Sequence, residues 1–131
     1  MKNAFRVFAA VMLLSLAGCL ALPQPEQQAV GYLKGHISIG PLCPVEANPS
    51  DPNCEPTQQT YGAYPLSVYS VANNRLIAQV KGDENGNYEI MLPAGEYEIR
   101  NETGMQKVSV RTTINPNGIT QLNVDIDTGI R

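Results

Sequence analysis

Apolar and polar residues alternate along most of the chain after residue 30, most plainly over Asp83–Arg100. Tyr88, Ile90 and Leu92 alternate with Glu89 and Met91. After Pro93-Ala94-Gly95, Tyr97 and Ile99 alternate with Glu96, Glu98 and Arg100. A period of two sends one set of side chains to a buried face and the other to water. This stretch therefore predicts two short β-strands joined by a tight turn. Asn85-Gly86 supplies the positive φ that a tight lead-in turn needs.

The same period recurs on either side. Val30–Ile39 places Leu33, Gly35, Ile37 and Ile39 on one face and Tyr32, Lys34, His36 and Ser38 on the other. Leu66–Val71 predicts a strand with Leu66 and Val68 inward, and Arg75–Lys81 one with Leu76, Ala78 and Val80 inward. Ala72-Asn73-Asn74 turns between them, since Asn tolerates left-handed backbone. Met105–Thr112 points Val108 and Val110 inward. Asn115-Pro116-Asn117-Gly118 turns the chain into a last strand, Ile119–Ile126, with Leu122, Val124 and Ile126 inward. Between Ala47 and Pro65 the chain is rich in Pro, Asn, Ser and Gln and has no period. It reads as a long loop without secondary structure, the kind of segment that is functional or disordered. No helix is expected from residue 30 onward. Roughly seven short strands punctuated by turns predict an all-β, Greek-key sandwich over residues 30–131.

Asp83, Gly86, Tyr88, Ile90, Leu92, Pro93, Gly95, Tyr97 and Ile99 together resemble the D-x-x-G-x-Y-x-I-x-L-P-x-G-x-Y-x-I signature of carboxypeptidase regulatory-like domains. The resemblance implies a transthyretin-like (prealbumin-like) sandwich, similar also to collagen-adhesin B-type repeats. It implies a fold rather than an activity, because such modules serve many proteins as non-catalytic domains.

The N-terminus has a different character. Lys2 and Arg6 precede an apolar run, Val7–Leu16, and then Leu16-Ala17-Gly18-Cys19. Basic, then apolar, then small is the order of a secretory signal peptide over residues 1–18. The run is short of the ~20 apolar residues that a membrane span needs. LAGC resembles the lipobox of bacterial lipoproteins, which implies that Cys19 becomes the lipidated first residue of a protein held on a membrane at the cell envelope, facing the periplasm or the exterior. Residues 19–29, with two prolines and three glutamines after Cys19, read as a flexible tether. With Cys19 lipidated, Cys43 and Cys54 remain as a pair in an oxidising place, where a disulfide is the default. Two cysteines so far apart with one histidine match no common zinc spacing.

Loss of Lys2 and Arg6 with the signal moves the formal charge from −3 to −5. An acidic chain without a basic patch offers no electrostatic basis for binding nucleic acid. His36 is the single histidine and points outward, with no nucleophile and base arranged around it in the pattern. The hydroxyisourate hydrolases share the transthyretin fold but use several histidines and a C-terminal Tyr-Arg-Gly-Ser; this chain ends Asp127-Thr128-Gly129-Ile130-Arg131. Asp83-Glu84-Asn85-Gly86-Asn87 lacks the alternating ligands and twelfth-position Glu of an EF-hand loop. Lys34 and Asn123 occupy the positions of the isopeptide bond of collagen-adhesin repeats, but both alternate outward, away from the buried setting that bond needs. No catalytic residue, metal or cofactor is therefore expected. Tyr61, Tyr64 and Tyr69, in or beside the long loop, are candidate binding residues for a protein or glycan partner, or else cap the end of the sandwich.

Overall fold

The computed structural model describes residues 22–44 and 51–131. Residues 1–18, expected above to be a signal peptide, lie outside the described residues with Cys19 and part of the long loop. Among the described residues, eight strands form two four-stranded sheets packed face to face. They are β1 (Val30–Gly40), β2 (Leu66–Ser70), β3 (Leu76–Val80), β4 (Asn87–Pro93), β5 (Gly95–Asn101), β6 (Val108–Ile114), β7 (Ile119–Gln121) and β8 (Val124–Asp127). In the first sheet β1 is central. It pairs antiparallel with β4 on one side, and in parallel with β7 and then β8 on the other. The second sheet runs β3-β2-β5-β6, antiparallel throughout.

The core lies between the sheets. Leu33, Ile37 and Ile39 of β1, Tyr88 and Leu92 of β4, and Val124 and Ile126 of β8 face Leu66, Val68, Tyr97, Ile99 and Ile114 of the second sheet. The buried tyrosines keep their hydroxyls paired, as buried phenols must. Tyr88 donates to the Leu122 carbonyl and Tyr97 to the Pro93 carbonyl, each at 2.6 Å. Burial pushes the Tyr88 phenol up to about 12. Gly86, at φ +80°, makes the turn into β4 and brings its carbonyl within 2.8 Å of the Ile37 amide. The expected sandwich is thus present, with four departures.

The first departure is a helix. A 3₁₀ turn (Pro52–Cys54) and a short helix α1 (Gln58–Ala63) occupy the stretch expected to be irregular. Thr57 and Thr60 cap α1 reciprocally: each hydroxyl accepts the other's backbone N–H. This is a capping box with Thr in place of the usual Glu or Gln at its third position. One buried residue, Tyr61, is enough to anchor so short a helix.

The second departure concerns Leu76, expected inward but 50% exposed. The β2–β3 register shifts between Val68 and Tyr69, which pairs Leu76 with Tyr69 on the outer face. A bulge of this kind reverses the inside–outside sense beyond it. Third, β6 begins at Val108 rather than Met105 and runs to Ile114, whose side chain is buried. Fourth, the last strand is two. The chain leaves β1 after Gln121 and rejoins it at Val124. Over this break the Leu122 amide donates to the Lys34 carbonyl at 2.9 Å, and the Asn123 Oδ1 accepts from the His36 amide at 3.0 Å.

A disulfide joins Cys43 to Cys54 and closes the loop between them, in the first half of the 41–65 segment. Replacing both cysteines with serine is expected to cost about 2–4 kcal/mol, from the entropy a loop of this length returns to the unfolded chain. Chemical denaturation of the two proteins side by side measures this.

Candidate functional site

The outer face of the first sheet has a regular row structure set by the register of β1. Tyr32 lies between Met91 of β4 and Ile119 of β7. Two residues on, Lys34 lies between Glu89 and Gln121. Two further, His36 pairs with Asn87 and receives Asn123 from the β7–β8 break. The last two rows, with Asp83 from the lead-in to β4, line an open cleft of about 450 Å³.

The cleft owes its shape to the break in the last strand. Gly35 lets the Leu122 carbonyl pass close to β1: a Cβ at residue 35 would stand 1.8 Å from that oxygen. Tyr88 and Lys34 then hold Leu122 in place through its carbonyl and amide, which fixes Asn123 beside His36. On the opposite wall, Asp83 Oδ1 accepts from the Asn85 and Asn87 amides at 2.9 Å each, a rigid side-chain-closed turn. Asn87 in turn meets the His36 ring, Oδ1 to Nδ1 at 3.2 Å. That contact needs the Nδ1 proton, since a carboxamide oxygen only accepts.

His36 and the carboxylates of Asp83 and Glu89 thus share one cleft, but the imidazole is bonded to a carboxamide. The lining holds no hydroxyl or thiol of Ser, Thr or Cys that could act as its nucleophile. Among the described residues no group of three His, Cys, Asp or Glu side chains is placed to hold a metal ion, and no helix is long and apolar enough to cross a membrane. Lys34 and Asn123 both lie exposed on this outer face, as their alternation implies.

The three tyrosines singled out in the sequence do not form one surface. Tyr61 is only 5% exposed and packs beneath Gly82 and Gly86. It closes the end of the sandwich and is unavailable for recognition. Tyr64, at the C-cap of α1, packs against the core. Tyr69 lies on the outer face of the second sheet, where the Arg100 guanidinium covers its ring at 4.1 Å from the centroid. Arg100 also bonds Glu98 and Asn74 at 3.0 Å each, and Ser109 donates to Glu98. Hydrogen bonds from Arg100 first and Ser109 second hold the Glu98 carboxyl well below its ordinary value, at about 2. A depressed carboxyl pKa stabilises the folded state fully above the ordinary value and loses that contribution as pH falls toward 2. The Glu98 carboxyl carbon followed by NMR is therefore expected to titrate near pH 2, and to move upward in Arg100→Gln. A midpoint in the ordinary range for the unsubstituted protein would discard the network.

The cleft was not evident from the sequence because each lining residue looks like an ordinary outward strand position. The one available signal was the density of carboxamides and opposed charges at outward positions of residues 34–36, 83–89 and 121–123.

No protein-family model and no curated protein matches this sequence. Solved structures do match it. The TIE protein of Bacillus anthracis superposes with a TM-score of 0.51 at 18% identity, over 76% of this chain and 17% of that one. An (S)-allantoin synthase superposes at 0.50 and 12% identity, over 77% of this chain and 42% of that one. A DUF3823 family protein from Parabacteroides merdae gives 0.48 at 19% identity, over 76% and 46% of the two chains. The chain thus spans less than half of each of these proteins. At such identities the likeness is one of fold, a β-sandwich that occurs in proteins of different kinds.

Proposed function

We propose that this chain is a lipid-anchored envelope lipoprotein whose carboxypeptidase regulatory-like sandwich is a non-catalytic interaction module. The observation that carries this is the direction of β1. The tether segment Leu22–Ala29 enters the fold at Val30. The eleven residues of β1 end at Gly40, where the segment that carries the disulfide begins. A strand of that length spans about 35 Å. Anchored through Cys19, the sandwich would stand on its tether end and hold the braced segment away from the lipid. Two acyl chains keep a protein on a membrane where one does so marginally.

The test has two parts. Cys19→Ser should move the protein from the membrane to the soluble fraction of the producing cell. A photo-crosslinking residue at exposed Gln59 should capture a partner protein that the same residue at Glu96, on the second sheet, does not. An unchanged membrane fraction would remove the anchor, and identical captures from both positions would remove the braced segment as the contact surface.

The cleft favours a second reading, a carbohydrate or small-ligand binding module. Ligand sites are concave and carry a few well-placed polar groups, and this cleft has them on rigid strands rather than on a mobile loop.

A further inference from the structure

We infer that the cleft, together with the apolar row beside it, is a site for a short neutral oligosaccharide lying along β1. This rests on the second reading above, that the cleft binds a ligand, and it specifies the ligand's chemistry.

The lining decides against charged ligands. Lys34 stands between Glu89 and Gln121, and Asp83 faces the same space. An anion drawn to Lys34 would meet two carboxylates. A cation drawn to those carboxylates would meet Lys34, and no three-ligand group for a metal exists among the described residues. The lining does offer carboxamides, at Asn87, Gln121 and Asn123. Gln121 presents donors and an acceptor in one plane, and Asn87 and Asn123, whose oxygens already meet His36, present their amide donors. Mixed donors and acceptors with little net field suit a ligand that is uncharged and dense in hydroxyl groups, each of which both donates and accepts.

The second observation lies next to the cleft on the same face. Tyr32, Met91 and Ile119 form one cross-strand row and are 41%, 57% and 64% exposed. An apolar row open to water beside a polar cleft matches the two-sided chemistry of a sugar ring, whose C–H faces pack on aromatic and aliphatic side chains while its edge hydroxyls seek polar partners. Tyr32 supplies a flat ring for this at low entropic cost. The contrast with the second sheet is direct: there Tyr69 is already covered by Arg100. From the Tyr32 row to the His36 row is four residues of strand, ~13 Å, the length of a short oligosaccharide rather than a single ring.

The experiment is an array of neutral and acidic oligosaccharides probed with the full-chain protein, followed by calorimetric titration of the best neutral binder. Binding should be to neutral oligosaccharides. Tyr32→Ala and Gln121→Ala should each weaken it about tenfold or more, while Arg111→Ala, on the other sheet, should not. Thermal melting of each variant identifies any loss that comes from unfolding; Gln121→Ala, at an exposed edge position, retains the test should Tyr32→Ala melt early. An array silent to neutral oligosaccharides, binding confined to acidic ones, or neutral binding that both cleft variants leave unchanged would each overturn the inference. None of these results depends on Cys19 or on capture at Gln59, so the anchor and the braced segment are judged separately.

Discussion

Gly35→Ala is expected to be the most damaging single-methyl change in the protein. Its Cβ would stand 1.8 Å from the Leu122 carbonyl oxygen and 2.6 Å from the carbonyl carbon. Both atoms are backbone, so no rotamer change relieves the clash. Nor can Leu122 retreat freely, because its oxygen accepts from Tyr88 and its amide donates to Lys34. On the next residue, Asn123 is tied to the His36 amide. Either the β7–β8 break shifts and the buried Tyr88 hydroxyl loses its acceptor, or β1 leaves register at the centre of its sheet. Overpacking costs 1–3 kcal/mol where a core can adjust, and a stranded buried hydroxyl adds to that. A loss of about 3 kcal/mol or more is expected, or roughly 10 °C in melting temperature. Gly62→Ala is the control. Its Cβ would meet nothing within 4 Å, and its position in α1 favours alanine. Circular-dichroism melts of the two variants decide the matter, and a Gly35→Ala protein melting beside the unsubstituted one would refute this account of the cleft wall.

The second large effect is expected at Asn101, a fully buried polar residue. Its Nδ2 donates to the Pro65 carbonyl at 2.9 Å and to Thr103 Oγ1 at 3.1 Å, and its Oδ1 accepts from the Gly104 amide at 2.9 Å. One side chain thus fastens the end of the braced segment to the start of the β5–β6 loop. Asn101→Leu keeps the volume but leaves a carbonyl and an amide without partners. At ~1–3 kcal/mol per stranded group, a loss of about 2–4 kcal/mol is expected from urea unfolding. Hydrogen exchange should quicken at Gly104 while β1 stays protected. A leucine variant as stable as the original would show that water satisfies both groups and that Asn101 is dispensable.

How far the sequence carried can be judged residue by residue. The inward set of β1, Leu33, Ile37 and Ile39, was legible because β1 runs unbroken through the middle of its sheet and its period of two survives. The same held for Tyr88, Leu92, Tyr97 and Ile99. Leu76 was not legible, because its face depends on a register shift in the pairing with β2, which is a property of two strands and not of one. The helix Gln58–Ala63 escaped because two threonines perform a capping exchange usually marked by an acid or amide, and a single buried tyrosine does the anchoring. The disulfide followed from the cysteines once the first of the three was assigned to the lipobox. The cleft could not follow from any one stretch. It arises where residues 34–36, 83–89 and 121–123 meet, and that meeting is set by an interruption of strand pairing at Leu122–Asn123 in what reads as one continuous strand.

The central position of β1 also bears on how the chain comes to be folded. The strand made first is bordered on one edge by β4 and on the other by β7 and β8, so its hydrogen bonds stay incomplete until Asp127 is out of the ribosome. The second sheet needs only residues 66–114 and can assemble earlier. Pairings so distant in sequence form slowly. The first sheet is therefore expected to close last, onto a second sheet already in place.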